Sequence, residues 1–313
     1  MENTKALIVN LNLAVDKTAK IPVFRPNHIY RLAETITQPG GKGVNVSMAL
    51  RELGCRPVIA GFVSGHNGRW IAENLPGENI PGLLVRHSGG ESRVCYSIVD
   101  GAGRFTDFNE EGPKVPVKAQ AQLLKRLAAE AGAFRIAAVC GRKVMGLKKN
   151  FYAGMTRTLK EAGCFTAFDT GGAPLLEGIE AGADLVKINR EEFREIAGGT
   201  SSRGGIRRFF DKYSPRGLKA LIVTDGPGVT LAVSQFGLWG ASPVPLRRLA
   251  SPVGAGDSFL AGFISGFMRG LAFEANLKLA SGCAASDCLT LAAGRISRGE
   301  AETFARTVKV REL

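Results

Sequence analysis

Histidine is scarce in this chain. Three occur in 313 residues, His28, His66 and His87, and they lie far apart without the spacing of metal ligands, which argues against a histidine-based metal centre. The six cysteines (Cys55, Cys95, Cys140, Cys164, Cys283 and Cys288) include no CxxC pair and mostly sit in apolar runs, so they read as buried free thiols in a reducing compartment. Aromatic residues make up 7% and do not interleave with any run of five or six basic residues. The net charge of +13 is therefore read as a background that favours anionic small molecules, without a specific nucleic-acid partner. No apolar run approaches bilayer length, and the opening MENTKALIVNLNL has no cleavable signal pattern. The expectation is a cytoplasmic protein with no membrane partner. Internal repeats, low-complexity tracts and Pro/Ser-rich linkers are also missing.

What is abundant is glycine, at 40 residues, beside 45% hydrophobic residues, a balance that suits a large core closed by many tight turns. Ala6–Leu11 is a continuous apolar run and reads as a buried parallel strand. Further strands are expected at 57–63, 134–140, 164–169, 184–188 and 220–224, with an antiparallel partner at 229–234. Helices are expected at 43–53, 67–75, 118–131, 150–162, from about Arg190, within a basic, Gly-rich helix-and-loop region at 201–218, after Gly256 to about Gly270, and at 273–289. Alternation of this kind implies an open α/β sheet with helices on both faces, and ligands bind outside the carboxyl ends of such strands. Asp16, Gly141, Asp169, Asn189 and Asp225 follow predicted strands and are candidates for one crevice. The looser stretches at 17–37, 93–100 and 104–108 read as half-exposed strands forming a small separate sheet.

Two glycine-rich stretches run into helices. In SPVGAGDSFLAG, Gly254, Ala255 and Gly256 leave backbone N–H groups uncluttered at a helix start, a favourable place for an anion. Asp257 follows, either as an ordinary capping residue or as a base that takes a proton from a hydroxyl while the turn holds a phosphoryl group. In QPGGKGVNVS, Gly41 allows close backbone approach, Lys42 offers a positive charge to a phosphate, and Asn45 offers an amide to hydroxyls. Asp16 and Arg93 are read beside them as sugar and phosphate contacts, against the alternatives of a turn Asp and a solvated edge Arg. Asn189 and Glu192 in KINREE have the spacing of a capping box, or would organise water and Mg²⁺ near nucleotide phosphates. Thr224 and Gly226 close another strand, facing a nucleotide or forming a plain hairpin turn.

In this order, GGKGVNVS and SPVGAGDSFLAGF resemble the two signatures of the ribokinase-like (PfkB) carbohydrate kinases, over essentially the whole chain. NLNLAVD, Lys42, GESRVCYSIVD, TDFNEEGP and KINREEF are most similar to the 1-phosphofructokinase and tagatose-6-phosphate kinase group. The resemblance implies a three-layer α/β/α domain with a mainly parallel sheet over residues 1–313. It implies a β-sheet lid from about 13–38 and 92–110, ATP and Mg²⁺ as cosubstrates, and homodimers through the lid. By position, Asp257 would be the base and Gly254, Ala255 and Gly256 the anion hole. Asp16, Gly41, Lys42, Asn45 and Arg93 would hold a phosphorylated sugar. Lys187, Asn189, Thr224 and Gly226 would face the nucleotide, with Glu192 reaching the metal through water. CGRKVMG at 140–146 replaces the family's SGSLPPG and brings in Arg142 and Lys143, charges that would either hold a phosphate, with Arg142 as a further contact, or mark an altered specificity. The expected activity is phosphorylation of fructose 1-phosphate. The alternatives are tagatose-6-phosphate or 6-phosphofructokinase activity, a kinase for an unphosphorylated sugar or nucleoside, or a non-catalytic sugar-phosphate-binding regulator.

Overall fold

The computed structural model describes residues 4–313. Strand β1 (Lys5–Asn12) leads directly into β2 (Ala14–Ile21) and β3 (Thr35–Gly40) of a second sheet. The chain returns through α1 (Lys42–Glu52), β4 (Arg56–Ser64), α2 (Gly65–Asn74) and β5 (Gly82–His87), then leaves again for β6 (Arg93–Asp100) and β7 (Phe105–Asn109). From α3 (Val117–Glu130) it stays with the main sheet: β8 (Ile136–Cys140), α4 (Phe151–Glu161), β9 (Phe165–Asp169), α5 (Gly172–Glu180) and β10 (Leu185–Asn189). Then come α6 (Arg190–Ala197), α7 (Arg203–Tyr213), β11 (Ala220–Thr224), β12 (Thr230–Ser234) and β13 (Gly237–Ala241). The last elements are α8 (Ala255–Met268), α9 (Phe273–Asp287), α10 (Arg298–Thr307) and β14 (Val310–Glu312).

The main sheet has ten strands in the order β14-β13-β12-β11-β10-β9-β8-β1-β4-β5, and the small sheet runs β3-β2-β6-β7. From β11 to β5 the main sheet is parallel, while β12, β13 and β14 extend it antiparallel. Strand β1 shows why it is buried on both sides. Ala6 and Ile8 point into the core under α1, α8 and α9, whereas Leu7, Val9 and Leu11 point into the core under α3 to α7. A period-two strand apolar at consecutive positions from Ala6 to Val9 demands helices on both faces, and three layers result. The direction of winding reverses at β1, with β4 on one side and β8 on the other. A crevice opens at the carboxyl ends of strands at such a reversal.

The expected small sheet forms, with β2 and β6 as parallel central neighbours and antiparallel β3 and β7 outside them. Five elements were not expected: β5, α5, β13, α10 and β14. GAPLLEGIE carries Gly and Pro and no expected element, yet Pro174 falls in the first turn of α5, where a missing N–H costs nothing. Strands β13 and β14 are short edge additions whose pairing is decided by the strand already beside them, not by their own pattern.

Candidate active site

The crevice begins where β1 hands the chain to the small sheet. Gly41 is the N-cap of α1 with φ 97°, a left-handed conformation that favours glycine. A side chain there would come within 2.6 Å of Asn10 Nδ2, and one at Gly40 would overlap the Asp16 carboxyl. Both glycines are thus required for the backbone to pass close to β1 and β2. The Gly41 N–H donates to Asp16 Oδ2 at 3.1 Å, while Asp16 Oδ1 is buried without a protein partner. Burial pushes the Asp16 carboxyl up from its ordinary value, against the Gly41 N–H and the nearby Arg93 charge. Arg93 itself is tied back: its Nε donates to Asn12 O at 3.2 Å and its Nη1 to Glu110 O at 3.4 Å.

Across the crevice, α8 starts at Gly254 with φ 93° and no side chain caps it. The turn is close-packed, since a Cβ on Gly254 would lie 2.6 Å from Ala293 Cβ and 2.7 Å from Asp287 Oδ2. Asp257 occupies the first turn of α8 and is 7% exposed. Asn45, from α1, donates its Nδ2 to Asp257 Oδ2 at 2.8 Å, and Asn45 Oδ1 is left without a partner. The two glycine-rich stretches therefore meet through one hydrogen bond. Burial, aided by the charge of Asp169, raises the Asp257 carboxyl to about 6, against Lys42, Lys187 and the Asn45 hydrogen bond. That places it close to the range in which a carboxylate works as a base near neutral pH.

Behind Asp257 lies a cluster of charges. Asp169, fully buried at the end of β9, accepts from Lys187 Nζ at 2.8 Å and from Lys42 Nζ at 3.0 Å. Lys42 also lies 3.4 Å from Glu192 Oε1. Burial would push the Asp169 carboxyl up, but Lys187 and Lys42 hold it below its ordinary value. Lys42 is raised in turn: burial opposes its charge, and Asp169, Glu192 and Asp257 outweigh burial. Lys187 Nζ would lie 2.9 Å from a Cβ on Gly256, so an ammonium sits against the start of α8 and adds its charge to that of the helix end.

Glu192 and Asn189 form a complete capping box on α6: Glu192 N donates to Asn189 Oδ1 at 2.9 Å, and Asn189 N to Glu192 Oε2 at 3.0 Å. Asn189 and Thr224 are register partners at the ends of β10 and β11, and Thr224 Oγ1 donates to Ile188 O at 3.4 Å. Gly226 turns at φ 53° in open space. Arg142 is exposed beyond β8, following Gly141 at φ 98°, and no contact joins it to the cluster. Two parts of this arrangement are unexpected. Lys42 stands among carboxylates, and Asp169, expected in the crevice without a role, is the hub of the ion pairs. Asn10 also escapes sequence reading. It is 1% exposed, unpartnered at both side-chain atoms, and surrounded by Gly41, Gly43 and Gly141. Its signal is a polar residue inside an apolar strand.

A crevice at a sheet reversal, a buried carboxylate at an uncapped helix start, and two lysines beside it are the kinds of group that phosphoryl transfer uses. The model of the pfkB family of carbohydrate kinases matches residues 7–295, and the chain belongs to that family. It is an ATP-dependent phosphotransferase with an alcohol acceptor. Among curated relatives, it is 26% identical over 278 residues to the 1-phosphofructokinase of Haemophilus influenzae, covering 88% of each chain. It is 25% identical over 311 residues to the tagatose-6-phosphate kinase of Staphylococcus epidermidis, covering 98% of this chain and 99% of that one. Among solved structures, a possible 1-phosphofructokinase from Thermotoga maritima superposes with a TM-score of 0.89 at 23% identity, covering 99% of both chains. The tetrameric inhibited form of phosphofructokinase-2 from Escherichia coli gives 0.87 at 20% identity, covering 98% of this chain and 99% of that one.

Proposed function

We propose that the protein transfers the γ-phosphoryl group of ATP to a primary hydroxyl of a ketohexose monophosphate, with fructose 1-phosphate as the first candidate acceptor. The observation that carries this reading is Asp257: a buried carboxylate with its pKa raised to about 6, hydrogen-bonded to Asn45, at the uncapped start of α8. Asp257 takes the proton from the attacking hydroxyl, and the backbone N–H groups of the Gly254–Gly256 turn stabilise charge on the transferred group. Asp16 and Asn45 each have a buried oxygen free to accept a sugar hydroxyl. Gly41 lets the sugar approach the backbone. Lys42 exchanges a carboxylate partner for a substrate phosphate, and Arg93 and Arg142 approach the same phosphate from the small sheet and the β8 loop. Lys187, Asn189, Thr224 and Gly226 face the nucleotide.

Magnesium fits these residues. It favours one or two carboxylates together with phosphates and water, rather than an all-protein cage. Glu192 supplies a carboxylate on the nucleotide side that is 21% exposed, and no cluster of three or more protein ligands occurs among the described residues. Glu192 would hold Mg²⁺ through water, and the ion would neutralise phosphate charge.

The four-stranded sheet is proposed to act as a lid and as the contact between two copies of the chain. It leaves Tyr96 and Phe108, cross-strand neighbours, 38% and 54% exposed, with Phe24 packed beside Phe108. A cytoplasmic location is proposed from the six free cysteines; no helix of the described residues is long and apolar enough to cross a membrane. The deciding experiment measures ATP turnover with fructose 1-phosphate, tagatose 6-phosphate, fructose 6-phosphate, fructose and ribose. A clear preference for one of the phosphorylated ketohexoses is expected, and a preference for fructose or ribose would overturn the substrate class.

A further inference from the structure

At the end of the main sheet opposite the crevice, a cavity of about 310 Å³ opens at the amino ends of β8 to β11. That is the small end of the range for ligand pockets. Its floor is two rings, Phe165 and Phe267, with centroids 4.3 Å apart. Each ring carries a cation: Arg135 lies 5.2 Å from the Phe267 centroid and Lys219 Nζ 5.4 Å from that of Phe165. A third cation, Lys160, also lines the cavity.

The single carboxylate in the lining is Asp184, and lysines already flank both of its oxygens. Its Oδ2 accepts from Lys160 Nζ at 2.7 Å, Thr166 N at 2.8 Å and Thr166 Oγ1 at 3.0 Å. Lys219 Nζ lies 2.9 Å from Oδ1. Burial would push this carboxyl up, but Lys160, the Thr166 N–H and Lys219 hold it below its ordinary value, so it is ionised at neutral pH. Three cations then face one anion. Among the described residues Arg135 has no carboxylate partner: its Nη1 donates to Met268 O at 2.9 Å, and its guanidinium lies over Phe267. The two rings in contact each hold a cation against the cavity lining, Arg135 on Phe267 and Lys219 on Phe165. The excess of charge is local and built, distinct from the scattered charge of the chain.

We propose that this cavity is a second anion site, separate from the phosphoryl-transfer crevice, for a small polyanion carrying two or more negative charges, a phosphate ester or a polycarboxylate. Its oxygens would bridge Arg135 and Lys219, with Lys160 sharing its ammonium between the ligand and Asp184. The same strands that start at the cavity end at the crevice. Strand β10 follows Asp184 and carries Lys187 and Asn189, and β9 runs from Phe165 to Asp169. The two sites are thus one strand apart, roughly 16 Å.

The test is calorimetric titration of the full chain with pyrophosphate and, separately, with citrate, at about 0.15 M salt so that diffuse charge is screened. The wild type is expected to bind one of these probes at a site that Lys42→Ala leaves intact. The double variant Arg135→Gln/Lys219→Gln is expected to lose that site, with affinity at least roughly tenfold weaker, while keeping its fold and its turnover without the probe. The tighter probe identifies the source, phosphorylated or polycarboxylate. If the double variant does not fold, Arg135→Gln alone carries the test, because Arg135 pairs with no carboxylate. Unchanged affinity and stoichiometry in the variant, or no binding of either probe in the wild type below about 10 mM, would overturn the proposal.

Discussion

Asp257 must be free of its proton before it can accept one. With its carboxyl raised to about 6, the ionised fraction falls as the pH drops through 6, and turnover should fall about tenfold per unit below that point and level off above it. A pH profile of kcat/KM checks the position of that limb. Lys42 lowers the Asp257 carboxyl, so Lys42→Ala should move the limb to higher pH; a shift to lower pH would contradict the charge arrangement described. The same variant should weaken the phosphorylated sugar far more than ATP, and equal losses would count against a sugar-phosphate role. Asp257→Asn removes the proposed base and keeps the shape and the Asn45 neighbour. It should leave nucleotide binding in place while lowering kcat by roughly two orders of magnitude or more. Near-normal turnover would remove Asp257 from the mechanism.

Helix α8 does two jobs through its glycines. At its start, Gly254 is held at a positive φ against Ala293; further along, Gly262 lets α9 approach so closely that a Cβ would lie 2.8 Å from Ala280 Cα and from Cys283 Sγ. Gly262→Ala should therefore cost about 1–3 kcal/mol by chemical denaturation, since one of its neighbours is backbone and cannot step aside. These elements differ in how far they can be read from sequence. The glycines before α1 and α8 are visible because a turn of small residues running into an apolar helix has few other uses. The doubly buried strand β1 is visible because its apolar run has no polar face. The capping box of α6 is visible because its spacing is local. Asp169 gave no such sign of its role, because its partners Lys42 and Lys187 come from α1 and β10, and only the folded sheet brings three such distant residues together. Lys42 illustrates the same limit: its neighbourhood suggested a phosphate contact, but not the two carboxylates that hold it. Strands β5, β13 and β14 were hidden because their partners, not their sequences, make them strands.

For the whole molecule, the exposed aromatic face of the small sheet leads to a prediction about assembly. Phe108→Glu should shift the chain from dimer to monomer in sedimentation velocity, with its melting temperature little changed, because Phe108 is half exposed and contributes little to either core. A wild type that sediments as a monomer would remove the proposed contact. The connectivity between the two sheets has a further consequence. The chain crosses from one sheet to the other four times, between β1 and β2, β3 and α1, β5 and β6, and β7 and α3. Asp16 lies on β2, Gly41 at the second crossing and Arg93 at the start of β6, whereas Asp257, Asp169 and Lys187 belong to the main sheet and its helices. Any rocking of the small sheet carries one set of groups as a body past the other. Four tethers at one edge permit a swing about that edge and resist sliding. If the small sheet is the proposed lid, the acceptor would then be delivered to a stationary Asp257 along a single arc, much as a hinged tray presents its contents to a fixed tool.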